Sequence, residues 1–185
     1  MSRLILASKS PRRKQLMDEL GVPYEIIIAD IDEKIDLNNN LVNEIEKLSF
    51  LKALKVFNDN KDAVVIGADT IVVVNDKVLG KPIDEEDAYN MLKLLENNTH
   101  QVITGVSIIS SNKSESFSVI SDVTFNSMTD EEIKEYISTK EPMDKAGAYA
   151  IQGIGSKFIK CINGDYYAIM GLPISEVYRK LKNYL

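Results

Sequence analysis

Asp69 lies inside Ala63-Val-Val-Ile-Gly-Ala-Asp-Thr-Ile-Val-Val-Val74, the most apolar segment of the chain. A carboxylate there is desolvated unless a metal, a cation or a cleft meets it. Such a group can take a proton from water or ligate a cation, and it can equally serve in a buried ion pair whose purpose is architectural. Gly67, two residues earlier, thins the same face for close approach of backbone or ligand. Thr70 points to the opposite face of a regular strand, so sharing a site with Asp69 requires a local kink.

A second cluster is the turn Ser8-Lys-Ser-Pro-Arg-Arg13. The free N–H groups of a helix's first turn, two hydroxyls, Arg12 and Arg13 converge there, which is how a phosphate is held. In the plainer alternative Ser10 only caps the helix and both arginines are solvated. Asp30, Asp32 and Glu33 form an acidic loop suited to a divalent cation or simply to solvent. Lys52, Lys55 and the Lys81 of Gly80-Lys-Pro82 read by default as surface charges, and only association with the arginine turn changes that. Ala146-Gly-Ala-Tyr-Ala-Ile-Gln-Gly153 is too apolar for an exposed linker and too glycine-rich for a helix; it reads as a shaped wall whose one hydrogen-bonding amide is Gln152.

Several chemistries are excluded. There is no Walker-type phosphate loop, dinucleotide fingerprint, nucleophile elbow or zinc-protease pair. One cysteine, Cys161, excludes an intramolecular disulfide, and with one histidine, His100, it cannot furnish a four-ligand zinc site. His100 itself reads as a turn or strand-start residue.

These side chains need elements to position them. A strand at Leu4–Ala7 feeds a helix that Ser10 caps, with Pro11 at its first position and Gly21 in the left-handed place after its end. The β-branched run 24–29 predicts a second strand, and a long helix over 41–57 is capped by Asn40. Ala63–Val74 is a central strand, joined through Asn75-Asp76 to a short partner at 77–79. Asp84 caps an amphipathic helix to Leu95, strands follow at 100–110 and 117–125, and Thr129-Asp-Glu-Glu132 is a capping box for a helix to about Ile137. Asn163-Gly164 predicts a hairpin joining strands 157–162 and 165–170, and a last helix runs over 175–184.

With 185 residues, 44% hydrophobic and 27% charged, the chain has the composition of a single folded domain, 1–185, and the intermixed elements predict an α/β fold with a mixed sheet. A net charge of −6 argues against nucleic acid and anionic membranes as partners, so an anionic ligand needs a local basic cluster. The apolar run near Met1 is too short for a signal peptide, and no run approaches the roughly 20 residues that span a bilayer; a cytoplasmic location is expected.

Together, Ser8-Lys-Ser-Pro-Arg-Arg13, Asp32-Glu33, Leu51-Lys52-Ala53, Gly67-Ala-Asp-Thr70, Gly80-Lys-Pro82, Thr99-His-Gln-Val-Ile-Thr-Gly105, Asp144 to Gly153 and Gly171-Leu-Pro173 resemble the Maf family in order and spacing, essentially from end to end. The resemblance implies a cytoplasmic nucleoside triphosphate pyrophosphatase, associated with septum formation, that cuts between the α- and β-phosphates with a divalent cation, Mg²⁺ or Mn²⁺. It implies a mixed, curved sheet flanked by helices, in two lobes around a deep cleft, similar to the inosine triphosphate pyrophosphatases. Asp69-Thr70 and Gln152-Gly153 resemble the branch acting on dTTP and UTP. By match to the motif, Asp69 takes the proton-acceptor role, Arg12, Thr70 and Gln152 set substrate choice, and Ser8, Arg13, Glu33, Lys52 and Lys81 match further cleft positions.

The residue chemistry accommodates this. A triphosphate brings about four negative charges, for which Arg12, Arg13, Lys52, Lys81 and the helix N-terminus are the complement. Asp69, Glu33 or both would hold the metal. Two rivals stand beside this reading: a pyrophosphatase for modified or non-standard purine nucleotides, separated by a substrate panel, and a non-catalytic nucleotide-binding regulator of septum formation, separated by pyrophosphate release from dTTP. Oligomeric state is left open, a homodimer included.

Overall fold

In the computed structural model, which describes residues 3–185, the first strand is β1, Arg3–Leu6, and it lies parallel to two neighbours. Met1 and Ser2, the start of the N-terminal run read above, lie outside the described residues. From β1 the chain enters α1, Pro11–Glu19, then β2, Glu25–Ile26, α2, Leu41–Asn58, and β3, Ala63–Val74. Leu4 pairs with Val64 and Leu6 with both Ile66 and Ile26, so β1 sits between β2 and β3. Right-handed crossovers to opposite sides of β1 put α1 and α2 on opposite faces.

The chain continues through β4, Lys77–Leu79, α3, Glu85–Leu95, β5, Thr99–Ile109, β6, Ser114–Phe125, α4, Asp130–Ser138, β7, Ile159–Asn163, α5, Tyr166–Met170, and α6, Ile174–Leu181. The seven strands form one sheet in the order β2-β1-β3-β5-β6-β7, with β4 on β3. Parallel pairs at β1 and antiparallel pairs at β3–β4 and β6–β7 make the mixed α/β sheet that the pattern predicts. The caps at Ser10, Asn40, Asp84 and Thr129 form as read, the last as a complete capping box.

The chain divides into two compact units. The first holds the chain through Thr70, Thr104–Val119 and Gly171–Leu185; the second holds Ile71–Ile103 and Ile120–Met170. In the first, Ile5, Ala53, Val56, Val65 and Ile109 form a core under α2. Two glycines let that helix come close: a Cβ on Gly67 would lie 2.3 Å from the Ser49 carbonyl oxygen, and one on Gly105 2.7 Å from that of Ile45. The close approach foreseen at Gly67 is thus that of backbone. In the second, α3 and α4 close over Val102, Phe125, Tyr149 and Phe158. Each fully buried large aliphatic side chain contributes roughly 1.5–3 kcal/mol.

Three predicted strands change. The run at 24–29 keeps only two paired residues, because β1 ends at Leu6 and leaves the rest no partner beyond the bond from Ile27 N–H to the Leu6 carbonyl. In place of the strand at 165–170, Tyr166–Met170 form α5. The Asp165 carboxylate accepts from Tyr167 N–H at 2.7 Å and Ala168 N–H at 3.1 Å, and this N-terminal cap overrides the hairpin signal of Asn163-Gly164. The predicted strand 157–162 shifts likewise, with a 3₁₀ turn at Ile154–Phe158 preceding β7. No helix among the described residues is long and apolar enough to cross a membrane.

Candidate functional site

Pairing of β1 with β3 ends where Ala7 N–H donates to the Ile66 carbonyl at 2.7 Å, and β3 runs on past β1 through Gly67 to Thr70. The connections leave β1 toward β2 and return toward β3, so this is a topological switch point, where open α/β sheets bind ligands beyond the carboxyl ends of their strands. Asp69 and Thr70 stand there. The kink needed to bring them together is absent: Asp69 meets α2 and Thr70 meets α1.

On the α2 side, Lys52 Nζ lies 2.6 Å from Asp69 Oδ1 and 2.8 Å from Glu33 Oε1. The Lys52 side chain is only 7% exposed, against 14% for Asp69 and 55% for Glu33, which corrects its reading as a surface charge. It shares the buried face of α2 with Leu48, Ser49, Ala53 and Val56, so its stem packs with the core and its ammonium emerges at the carboxylate. Lys55 is exposed, as read. The rest of the acidic loop is not gathered in: Asp32 pairs with Lys34 in solvent and Asp30 is exposed. Buried Glu44, which sequence reasoning missed, ties that loop's end to α2 by accepting from Asp36 N–H and the Asn39 amide.

Among the described residues no group of three or more His, Cys, Asp or Glu side chains is placed to hold a metal. Glu33 and Asp69 nevertheless converge on a single cation, the Lys52 ammonium. Two hard carboxylate donors suit a Mg²⁺ or Mn²⁺ ion that draws its remaining ligands from phosphate oxygens and water.

On the α1 side, Arg13 is buried and donates from Nε to the Gly171 carbonyl at 2.8 Å, from Nη1 to Ser8 Oγ at 3.4 Å and from Nη2 to Thr70 Oγ1 at 3.0 Å. Thr70 also shares a 2.8 Å hydrogen bond with Thr104, and Ser8 Oγ accepts from Ser10 N–H. Burial pulls the Arg13 guanidinium below its ordinary pKa, with nearby Asp69 acting in the opposite sense. Arg13 therefore organises the turn, while Arg12, half-buried beside it, stands on the first turn of α1.

Lys81 and Gln152 belong to the second unit. The Gly80 carbonyl accepts from Gly147 N–H at 2.9 Å, which seats the exposed Lys81 turn beside the glycine-rich segment. Gly147, at φ +70, packs on Val72, whose Cγ1 would lie 3.0 Å from a Cβ there, and residues 147–151 are buried within the segment read as a shaped wall, while Gly153 is exposed. His100 is the second residue of β5 but is 1% exposed: its Nε2 lies 2.7 Å from the Tyr149 hydroxyl, edge-on to Phe125, and Nδ1 has no hydrogen-bond partner among the described residues. Burial pushes it down to about 4. Glu141, also missed, accepts from Tyr136 Oη, Ile154 N–H and Gly155 N–H. Burial alone would raise its carboxyl, and those hydrogen bonds outweigh it and hold the group below the usual range.

Residues 3–184 match the family model for Maf-like proteins. A protein of Bacillus cereus (strain ZK / E33L) named dTTP/UTP pyrophosphatase is 48% identical over 184 residues, covering 100% of this chain and 96% of that one. A Bacillus anthracis protein of the same name is 47% identical with the same coverage. Among solved structures, the Staphylococcus aureus Ham1 protein superposes with a TM-score of 0.54 over 99% of this chain and 100% of its own; at 14% identity that likeness concerns the fold alone.

Proposed function

Because this chain belongs to the Maf family, we propose that it is a nucleoside triphosphate pyrophosphatase that converts dTTP and UTP to the monophosphate and pyrophosphate. The observation that carries the reading is Asp69, a largely buried carboxylate at the sheet's switch point, held by the Lys52 ammonium that also binds Glu33. Asp69 Oδ1 faces Lys52, and the second oxygen takes the proton of a water that attacks the α-phosphorus. The α–β bridging oxygen departs with pyrophosphate. Lys52 holds Asp69 in place, and with Ser8 and Arg12 it receives the phosphates through charge-assisted hydrogen bonds, on the turn that Arg13 orders. When bound by Glu33 and Asp69, Mg²⁺ or Mn²⁺ would neutralise charge on the phosphate oxygens.

Base choice falls to Gln152. A primary amide offers a donor and an acceptor side by side, matching the O4 acceptor and N3–H donor of thymine or uracil. A net charge of −6 fits a free cytoplasmic nucleotide better than nucleic acid or an anionic membrane, and residues 1–185 act as one functional domain. The test is a panel of dTTP, UTP, CTP, GTP and ITP assayed with Mg²⁺, Mn²⁺ or chelator for pyrophosphate and orthophosphate separately. Pyrophosphate from dTTP and UTP, abolished by chelator, is the expected result. Orthophosphate with a diphosphate product would place the cut at the wrong bond, preference for ITP would favour the purine reading, and no turnover would leave a binding protein.

A further inference from the structure

Gln152 lies on a loop with two legs, and both legs are tied to one hydrogen-bonded pair of side chains. On the entering side, Ala150 N–H donates to the Tyr136 hydroxyl at 3.3 Å. On the leaving side, Ile154 N–H donates to Glu141 Oε2 at 3.0 Å and Gly155 N–H to Glu141 Oε1 at 2.9 Å. Tyr136 Oη in turn donates to Glu141 Oε1 at 2.9 Å, closing the bracket. Gly153 sits at φ +77, ψ −151, a conformation open essentially to glycine, and a Cβ there would lie 2.5 Å from Glu141 Oε2. The backbone is thus moulded around the carboxylate.

Tyr136 is fully buried on α4, its ring against Phe158, and Glu141 follows α4 directly in a 3₁₀ turn. A carboxylate is the one side-chain group whose two oxygens accept from all three donors at once; an amide would turn an N–H toward at least one of them.

We infer that Glu141, acting with Tyr136, is a positioning residue that fixes where the Gln152 amide stands and so sets the enzyme's choice of base. This rests on the reading that Gln152 recognises the base. Glu141 need not touch the nucleotide. Its effect is to keep the amide in one place, since a reader displaced by about 1 Å loses its hydrogen bonds.

The experiment compares kcat/KM for UTP and GTP in wild type, Gln152→Ala, Glu141→Gln and the double variant, with Tyr136→Phe as a second probe of the same bracket. Glu141→Gln is expected to lower the UTP:GTP ratio about tenfold, Tyr136→Phe to lower it in the same direction, and the double variant to match Gln152→Ala within about twofold. Equal losses on both nucleotides in Glu141→Gln, or in Tyr136→Phe should the first fail to fold, would make the bracket merely structural and overturn the inference. So would a double variant whose losses multiply. Should Gln152→Ala itself leave the ratio unchanged, the base-reading role fails, and the inference falls with it by a distinguishable route.

Discussion

The Lys52 ammonium meets Asp69 Oδ1 at 2.6 Å, with both side chains largely withdrawn from water. Removing one partner of such a pair strands the other charge, at a cost of about 3 kcal/mol where some solvent access remains. Lys52→Met should lose about that much stability in chemical denaturation, and Lys52→Met/Asp69→Asn should recover more than about 1 kcal/mol of it. Glu33, half exposed on the same ammonium, should couple to Lys52 by less than about 1 kcal/mol. Strict additivity for Lys52 and Asp69 would mean that the contact contributes nothing.

Gln152→Glu tests base reading by charge. A carboxylate has acceptors only, so it faces O4 of thymine without a proton while suiting the N1–H and N2 donors of guanine. kcat/KM for dTTP and UTP should fall roughly 10²-fold, and the disadvantage of GTP should narrow or reverse. Equal loss on every base would assign Gln152 to loop or phosphate support.

His100 makes the fold acid-sensitive in a window set by one residue, since it is the chain's sole histidine. Its folded pKa of about 4, lowered by burial from an ordinary 6.5, means that between these values the unfolded chain binds the proton and the folded chain does not. Stability therefore rises with pH across that window and falls as pH drops from 6.5 to 4, by roughly 3 kcal/mol at about 1.4 kcal/mol per unit. His100→Gln should flatten the pH dependence of the unfolding free energy there. An unchanged slope would assign the proton uptake to carboxylates.

What could be read from sequence follows the range of the forces involved. The caps at Ser10, Asn40, Asp84 and Thr129 are local, so residue type and spacing suffice. Asp69 was legible because a carboxylate among Val, Ile and Ala demands a partner, but that the partner is Lys52 depends on how α2 crosses β3, and two glycines far apart in sequence set that crossing. The pair Asp69-Thr70 was legible as chemistry, while its division between α2 and α1 follows from strand pleat and crossover hand together. Glu141 left no sequence signal, since two of its three partners are backbone N–H groups thirteen and fourteen residues on and the third is a side-chain hydroxyl of α4. At Asn163-Gly164 the turn signal competed with the Asp165 cap, and two hydrogen bonds decided it.

The helix crossing has its own test. A Cβ at Gly67 would meet the Ser49 carbonyl at 2.3 Å and Ala53 N at 2.7 Å, backbone atoms that cannot yield cheaply. Gly67→Ala should lose about 3 kcal/mol, at the upper end for overpacking, whereas Gly80→Ala, with open space around it, should stay within about 0.5 kcal/mol. Comparable midpoints for the two in urea unfolding would contradict the close approach of α2.

Asp69→Asn turnover is the most direct measurement of the central claim. The substitution keeps the side chain's shape and removes its proton-accepting charge, so the chain should stay folded by far-ultraviolet circular dichroism, with a thermal midpoint lowered by the lost ion pair with Lys52. Pyrophosphate release from dTTP and UTP at saturating nucleotide and Mg²⁺ should fall at least about 10²-fold, as for lost general-base or metal assistance. A folded variant turning over within a few-fold of wild type would make Asp69 a structural ion-pair partner of Lys52 and contradict its place in the chemistry.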